Sequence, residues 1–122
     1  MQSLVMELDK YIVESENFSG DKSKAIITIS AIFPECESFK IGKTGEALRD
    51  RLDQYDYKEE YKFKHIAPVY KTKSKSLASK MEAELIDCFS NHDKCENIKD
   101  GDKSLKDKMA DADTYYVYVV WK

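Results

Sequence analysis

Three places in this chain have residue types and spacing that could do chemistry. The first is Gly42-Lys43-Thr44. A glycine turn running into a helix N-terminus binds phosphate through free N–H groups and the helix dipole, and Lys43 adds charge. A true P-loop also needs a glycine five residues earlier, where Glu37 stands, so that motif is excluded. The second and third places are charged residues on apolar helix faces. On a wheel at ~100° per residue, Arg51 falls inside the arc of Ala47, Leu48, Leu52 and Tyr55, while Arg49, Asp50 and Asp53 point elsewhere. Glu82 falls between Phe89 and Ile86 on the face formed by Leu77, Met81, Leu85, Ile86, Cys88 and Phe89. Charges turned toward a core are costly unless they pair or serve a site. Arg51 and Glu82 are therefore either a structural ion pair or parts of one functional site facing the sheet.

The elements that must position these groups read as follows. Leu4 to Val13 has apolar residues at helical spacing, and Asn17 to Lys24 reads as a loop around Gly20. Ala25 to Phe33 (AIITISAIF) is β-branched and apolar, which predicts a buried strand ended by Pro34. It would form a hairpin with a short strand at Phe39 to Ile41. Thr44 is a candidate N-cap for a helix through about Asp56, with Glu46 in its first turn. Tyr61 to Tyr70 predicts a third strand with Pro68 near its exit. Ser76 to Ser90 is the clearest helix, 93–113 is polar with one helical turn at Ser104 to Ala110, and Thr114 to Trp121 (TYYVYVVW) is a strand that must pair to stay in solution. The fold class is thus α+β: a small, mainly antiparallel sheet, hairpin plus third strand, flanked by helices, with an added N-terminal helix and a C-terminal strand.

A chain of 122 residues suits one domain, 1–122. Its 42% apolar and 35% charged residues describe a folded, solvated surface, and no apolar run approaches the ~20 residues of a membrane span. The N-terminal residues lack the pattern of a secretory signal. Cys36, Cys88 and Cys95 cannot all pair within one chain, so an intracellular, reducing compartment is expected. Zinc through Cys88, His92 and Cys95 with Cys36 or His65 matches no common module, and structural thiols are the simpler reading. The net charge is −3, but the segment 39–80 carries 11 basic against 6 acidic residues and the remainder 9 against 17. A basic segment inside an acidic chain is what a phosphate-binding face needs, and it is equally what a plain solvated lysine face produces.

The run FKIGKTGEALRDRLDQY, followed by SLASKMEAELI and then CEN, resembles the GIY-YIG nuclease superfamily over roughly residues 25–97. Members carry GIY on a first strand, YIG on a second, an arginine on the next helix, a glutamate on a later helix and a downstream asparagine. Ile41-Gly42 matches the end of YIG and Lys43 the lysine common after it. Arg51 matches the helix arginine, Tyr55 the tyrosine or histidine four residues later, Glu82 the glutamate and Asn97 the asparagine. The YIG tyrosine is Lys40 here, a KIG form similar to that of phages and large DNA viruses, and the GIY tyrosine falls near Thr28 or Ile29. With both motif tyrosines replaced, Tyr55 or a tyrosine of the C-terminal strand has to supply the lost hydroxyl.

The resemblance implies a metal-dependent endonuclease that hydrolyses DNA phosphodiester bonds. Glu82 would hold one Mg²⁺ or Mn²⁺, Arg51, Lys43 and the turn of Gly42 and Thr44 would contact phosphate, and Tyr55 would orient water or phosphate. Residues 1–24 and 98–122 would be extensions of the core. The competing reading is a catalytically degenerate relative that binds DNA, RNA or a protein, with Tyr57, Tyr61, Phe63 and Tyr70 interleaved among Lys58, Lys62, Lys64 and Lys71. A third is an α+β interaction domain whose C-terminal strand pairs with a second copy or a protein partner. The basic segment predicts weak nucleic-acid binding that falls with salt. By fluorescence anisotropy on duplex DNA, each phosphate contact should contribute about −0.9 to the log–log salt slope, and no binding at low salt would reject that expectation.

Overall fold

The computed structural model describes residues 4–5, 17–48, 50–52, 63–97 and 109–122. Within them, strand β1 (Leu4–Val5), helix α1 (Phe18–Ala31), strands β2 (Phe39–Thr44) and β3 (His65–Thr72), helix α2 (Lys75–Phe89) and strand β4 (Tyr115–Trp121) follow in chain order. The sheet runs β1-β3-β4-β2, with β3 and β2 both antiparallel to β4 and β1 parallel to β3. The class is α+β with a small, mainly antiparallel sheet.

Strand β4 holds the sheet together. Its run of valines and aromatics suits a strand buried on both faces, and Val117, Tyr118, Val119 and Val120 are all fully buried. Trp121 pairs with Phe39 on one side and His65 on the other, so the last strand sets the register of both neighbours. Alternation along β4 divides the core. Tyr115, Val117, Val119 and Trp121 pack with Ala25, Ile29, Met81, Leu85 and Ile86 of α1 and α2. Tyr118 and Val120 pack on the other face with Leu48, Leu52, Phe63 and Ile66.

The segment 25–33 departs from the strand expected there. Asp21, Ala25 and Ile29 are the buried positions of α1, each one turn from the next, while Ile27 is 69% exposed. Asn17 caps the helix by accepting from Gly20 N at 3.0 Å, so the loop expected at 17–24 is helix from Phe18 onward. Thr28 Oγ1 bonds back to Lys24 O and Ser23 Oγ to Ser19 O, which reconciles these residues with a helical backbone. Packing against β3 and α2 thus overrides a local strand preference. The expected hairpin is therefore replaced: the antiparallel neighbour of β2 is β4, from the far end of the chain.

Other differences are smaller. Leu4–Val5 is strand and not helix, paired with His65 and Ile66, and the rest of the expected N-terminal helix lies outside the described residues. Gly42-Lys43-Thr44 belongs to β2, and the turn begins at Gly45. Leu48, Asp50, Arg51 and Leu52 are helical, with Arg51 N bonded to Ala47 O at 3.1 Å, and the remainder of that expected helix is outside the description. Pro68 sits within β3, where the register against β4 shifts between Pro68 and Tyr70. A residue without an N–H belongs at such a bulge. Met109 and Ala110 are not helical, and the rest of the turn expected at 104–110 is not described. Helix α2 begins one residue before the expected span, with Ser74 accepting from Leu77 N.

The outer edge of β2 is closed by residues 94–97. Phe39 N donates to Lys94 O and Glu96 N to Phe39 O, both at 2.8 Å. Asn97 then uses its side-chain amide as a strand would use a peptide: Oδ1 accepts from Ile41 N at 2.8 Å and Nδ2 donates to Ile41 O at 2.9 Å. Asn97→Ala strands both backbone groups of a buried residue, so it should destabilise the domain by roughly 1–3 kcal/mol in urea unfolding. Asn97→Asp, which sets a carboxylate oxygen against the Ile41 carbonyl in place of the amide donor, should cost at least as much, and a negligible loss in both variants would refute the clasp.

Candidate functional site

The candidate residues gather along β2, whose side chains alternate between the two faces. Gly42 lies opposite Tyr118 and Lys43 opposite Val117. On the face shared with Leu48 and Leu52, the Tyr118 ring lies flat across Gly42. A Cβ built on Gly42 would stand 2.8 Å from Tyr118 Cε1 and closer still to its Cζ and Oη. Glycine is required there because the ring occupies the space of a side chain. Lys40, half-buried opposite Val120, shares the parity of Gly42.

Arg51 reaches this ring from the helical turn around it. Its Nε donates to Tyr118 Oη at 2.9 Å. Arg51 is half-buried and Tyr118 wholly buried, so the bond forms where water competes little and directs the phenol proton away from the guanidinium. The inward placement of Arg51 expected from the helical wheel is present, and its partner is a tyrosine of the C-terminal strand. Tyr55 lies outside the described residues.

On the opposite face stands a second pair. Lys43 Nζ lies 3.7 Å from Glu82 Oε1 and 3.1 Å from Ser79 Oγ, and the two charged side chains are 5% and 9% exposed. Glu82 is one of the buried positions of α2, with Ala78, Met81, Leu85 and Ile86 around it on that face. A buried carboxylate and ammonium are tolerable when they meet each other and further polar groups, and Lys43 also donates to the Ser79 hydroxyl. Lys43, expected at a surface phosphate site, is thus buried against α2. The helices that carry Arg51 and Glu82 cover opposite faces of the sheet. The candidate set shares the strand, through consecutive residues Gly42 and Lys43, in place of the single concave face expected at a hairpin edge.

Thr44 and Asn97 hold backbone. Thr44 Oγ1 accepts from Glu46 N at 3.0 Å, which closes the turn after β2 and stops short of capping a helix at that point. Asn97 clasps Ile41 beside Gly42. The thiols do no evident chemistry: Cys36 is buried, Cys95 half-buried, and Cys88 exposed, not on the inner face of α2 as the wheel suggested. Burial pushes the Cys36 and Cys95 thiols above their ordinary range. Among the described residues, no group of three or more His, Cys, Asp or Glu side chains is placed to hold a metal ion.

Tyr118 and Ser79 are the site residues that sequence reasoning did not single out. The alternation of YYVYVVW puts Tyr116 and Tyr118 on one face, but which tyrosine meets Gly42 depends on the register of two distant strands. Ser79 lies one turn before Glu82, spacing that a wheel would show only once Lys43 was known to face that helix.

No protein-family model matches the chain, and neither the curated proteins nor the solved structures give a match. The contact between Gly42 and Tyr118 is testable on its own terms. Gly42→Ala should destabilise by about 1–3 kcal/mol through overpacking, and combining it with Tyr118→Leu should recover part of that loss. Strict additivity of the two changes in a double-mutant cycle of urea midpoints would show that the ring does not occupy that space.

Proposed function

We propose that this chain is a GIY-YIG-type nuclease domain that holds a nucleic-acid backbone, DNA or RNA, and hydrolyses its phosphodiester bonds. The observation that carries this reading is the Arg51–Tyr118 bond laid over Gly42. In the family resemblance, a first-strand tyrosine lies beside the YIG strand and works with the helix arginine. Here the strand paired with Lys40-Ile41-Gly42 is β4, and Tyr118 brings a hydroxyl to the place where the sequence around Thr28 and Ile29 offers none. The hydroxyl of the motif comes, in this reading, from the C-terminal strand.

In this reading the positive charge of the Arg51 guanidinium steadies the scissile phosphate. Tyr118 Oη, fixed by Arg51, orients the attacking water and takes part in moving its proton. Lys43 adds positive charge next to Gly42. Glu82 supplies a hard anionic oxygen of the kind Mg²⁺ or Mn²⁺ takes, and such ions use one or two carboxylates and otherwise keep water and phosphate oxygens. Glu82 lies on the α2 side of the sheet, away from the Arg51–Tyr118 pair, and would hold such a cation only after parting from Lys43. A reducing, intracellular setting suits the three free thiols.

One observation favours the second reading, a module that binds nucleic acid without cutting it: the Glu82 carboxylate is already matched by Lys43. The third reading, a strand-edge contact through the C-terminal strand, loses its basis because β3 and β2 occupy both edges of β4. No helix among the described residues is long and apolar enough to cross a membrane.

Nicking of supercoiled plasmid with Mg²⁺ or Mn²⁺, beside thermal melting of each variant, separates the two remaining readings. Glu82→Gln should abolish cleavage. Arg51→Ala and Tyr118→Phe should each lower it by about 10²–10³, with Tyr118→Phe also losing about 1–3 kcal/mol of stability with its buried bond while remaining folded at the assay temperature. Wild-type protein that binds DNA and never nicks it with either metal would leave the binding module in place of the nuclease.

A further inference from the structure

One β-bulge decides which lysine of β3 shares a face with the Arg51–Tyr118 pair. Ile66 and Pro68 lie opposite Val120 and Tyr118, on the face of Leu48 and Leu52. Strict alternation would put Tyr70 there next and turn Lys71 to the α2 side. The register instead shifts between Pro68 and Tyr70, so that Tyr70 pairs with Val117 and Lys71 with Tyr116. Tyr70 is accordingly buried with Val69 in the core beneath α1 and α2, and Lys71 comes round to the face of Tyr116 and Tyr118. An extra residue in one strand re-aims the side chains that follow it, and such bulges are common beside active sites.

Lys40 of β2 is on this same face, opposite Val120. Lys40, Tyr118 and Lys71 therefore step diagonally across three adjacent strands. At roughly 3.3 Å per residue along a strand and about 4.8 Å between strands, each step spans about 8 Å between Cα atoms. Arg51 joins the row at its centre through Tyr118 Oη. Lys40, Arg51 and Lys71 are all half-buried, so none is sealed in the core as Lys43 is. Among the described strands, β2, β3 and β4 contain no acidic residue, and Glu82 belongs to α2 on the opposite face. A diagonal of cations on a sheet face without carboxylates of its own suits an extended polyanion.

We propose that Lys40 and Lys71 hold the nucleic-acid backbone on either side of the phosphate that Arg51 meets, with the bulge in β3 as the feature that recruits Lys71. The inference rests on the nuclease reading for the phosphate at Arg51, and it adds two positioning residues on that same face. Each ammonium that neutralises a phosphate releases counterions from the nucleic acid, so the row is visible in the salt dependence of binding.

The test is fluorescence anisotropy of labelled duplex DNA, titrated without metal at several salt concentrations so that nothing is cut. Lys40→Met and Lys71→Met should each weaken binding and make the log–log salt slope shallower by about 0.9, and the double variant by about 1.8. Lys71→Arg, which keeps the charge, should keep the wild-type slope. Lys24→Met, which removes an exposed lysine of α1 on the other side of the sheet, should leave it unchanged as well. Circular dichroism and urea midpoints check that each variant is folded. The row is overturned if folded Lys71→Met keeps the wild-type slope, or if Lys24→Met lowers the slope as much, since any surface lysine would then serve. Should Lys71→Met fail to fold, a wild-type slope in Lys71→Gln overturns it equally, as does wild-type protein that binds no duplex at low salt. Slopes that shift as expected in a protein that never nicks plasmid keep the row and remove the nuclease, and nicking with unchanged slopes does the reverse.

Discussion

Strand β4 pairs on both edges and is buried on both faces, and β2, β3 and α2 take their places against it, with β1 and α1 packed in turn on β3. A run of valines and aromatics cannot stay in water as an open edge, and here it is placed between β3 and β2, with Trp121 pairing to His65 and to Phe39. Because both neighbours are antiparallel to β4, they run parallel to each other and cannot be joined as a hairpin. Their connection has to cross from one side of β4 to the other, and the helical residues around Arg51 lie on that crossing. The sheet closes only when residues far apart in sequence meet. Such a topology forms its central contacts against a large loop-closure entropy.

The glycine, the arginine and the tyrosine of the candidate site follow from that register. With Phe39 opposite Trp121, Gly42 necessarily faces Tyr118, and a ring lying over a strand leaves no room for a Cβ. Arg51 then meets a hydroxyl held in a buried position. The next residue, Lys43, points to the other face by the alternation of the strand and meets α2 at Ser79 and Glu82. Two polar pairs of different chemistry thus stand back to back across one strand. Asn97 steadies the stretch that carries both by supplying a peptide-like amide to Ile41.

The buried charges say something about what the fold tolerates. A lysine and a glutamate packed beneath a helix are rarely worth their desolvation as stabilisers, and apolar residues would fill that volume at lower cost. Their presence at the rung beside Gly42 is the physical reason to look for chemistry there. The thiols contrast with them. Cys36 and Cys95 are held protonated by burial and behave as small apolar residues.

Much of this was legible in the residues themselves. The helix at 75–89 follows from apolar spacing and the Ser74 cap, the strand at 115–121 from its composition, and the inward placement of Arg51 and Glu82 from the helical wheel. Those are local properties, set by periodicity and by side-chain shape. The tertiary structure alone decided the rest. AIITISAIF has the composition of a strand, yet it is a helix because Ala25 and Ile29 find their partners on β3 and α2 and a strand's neighbours are already taken by β4. Which tyrosine meets Gly42, and whether Lys43 faces solvent or Glu82, depend on a register between strands far apart in the chain. No local pattern encodes that register, because it is chosen by which pairing buries both faces of β4 at once.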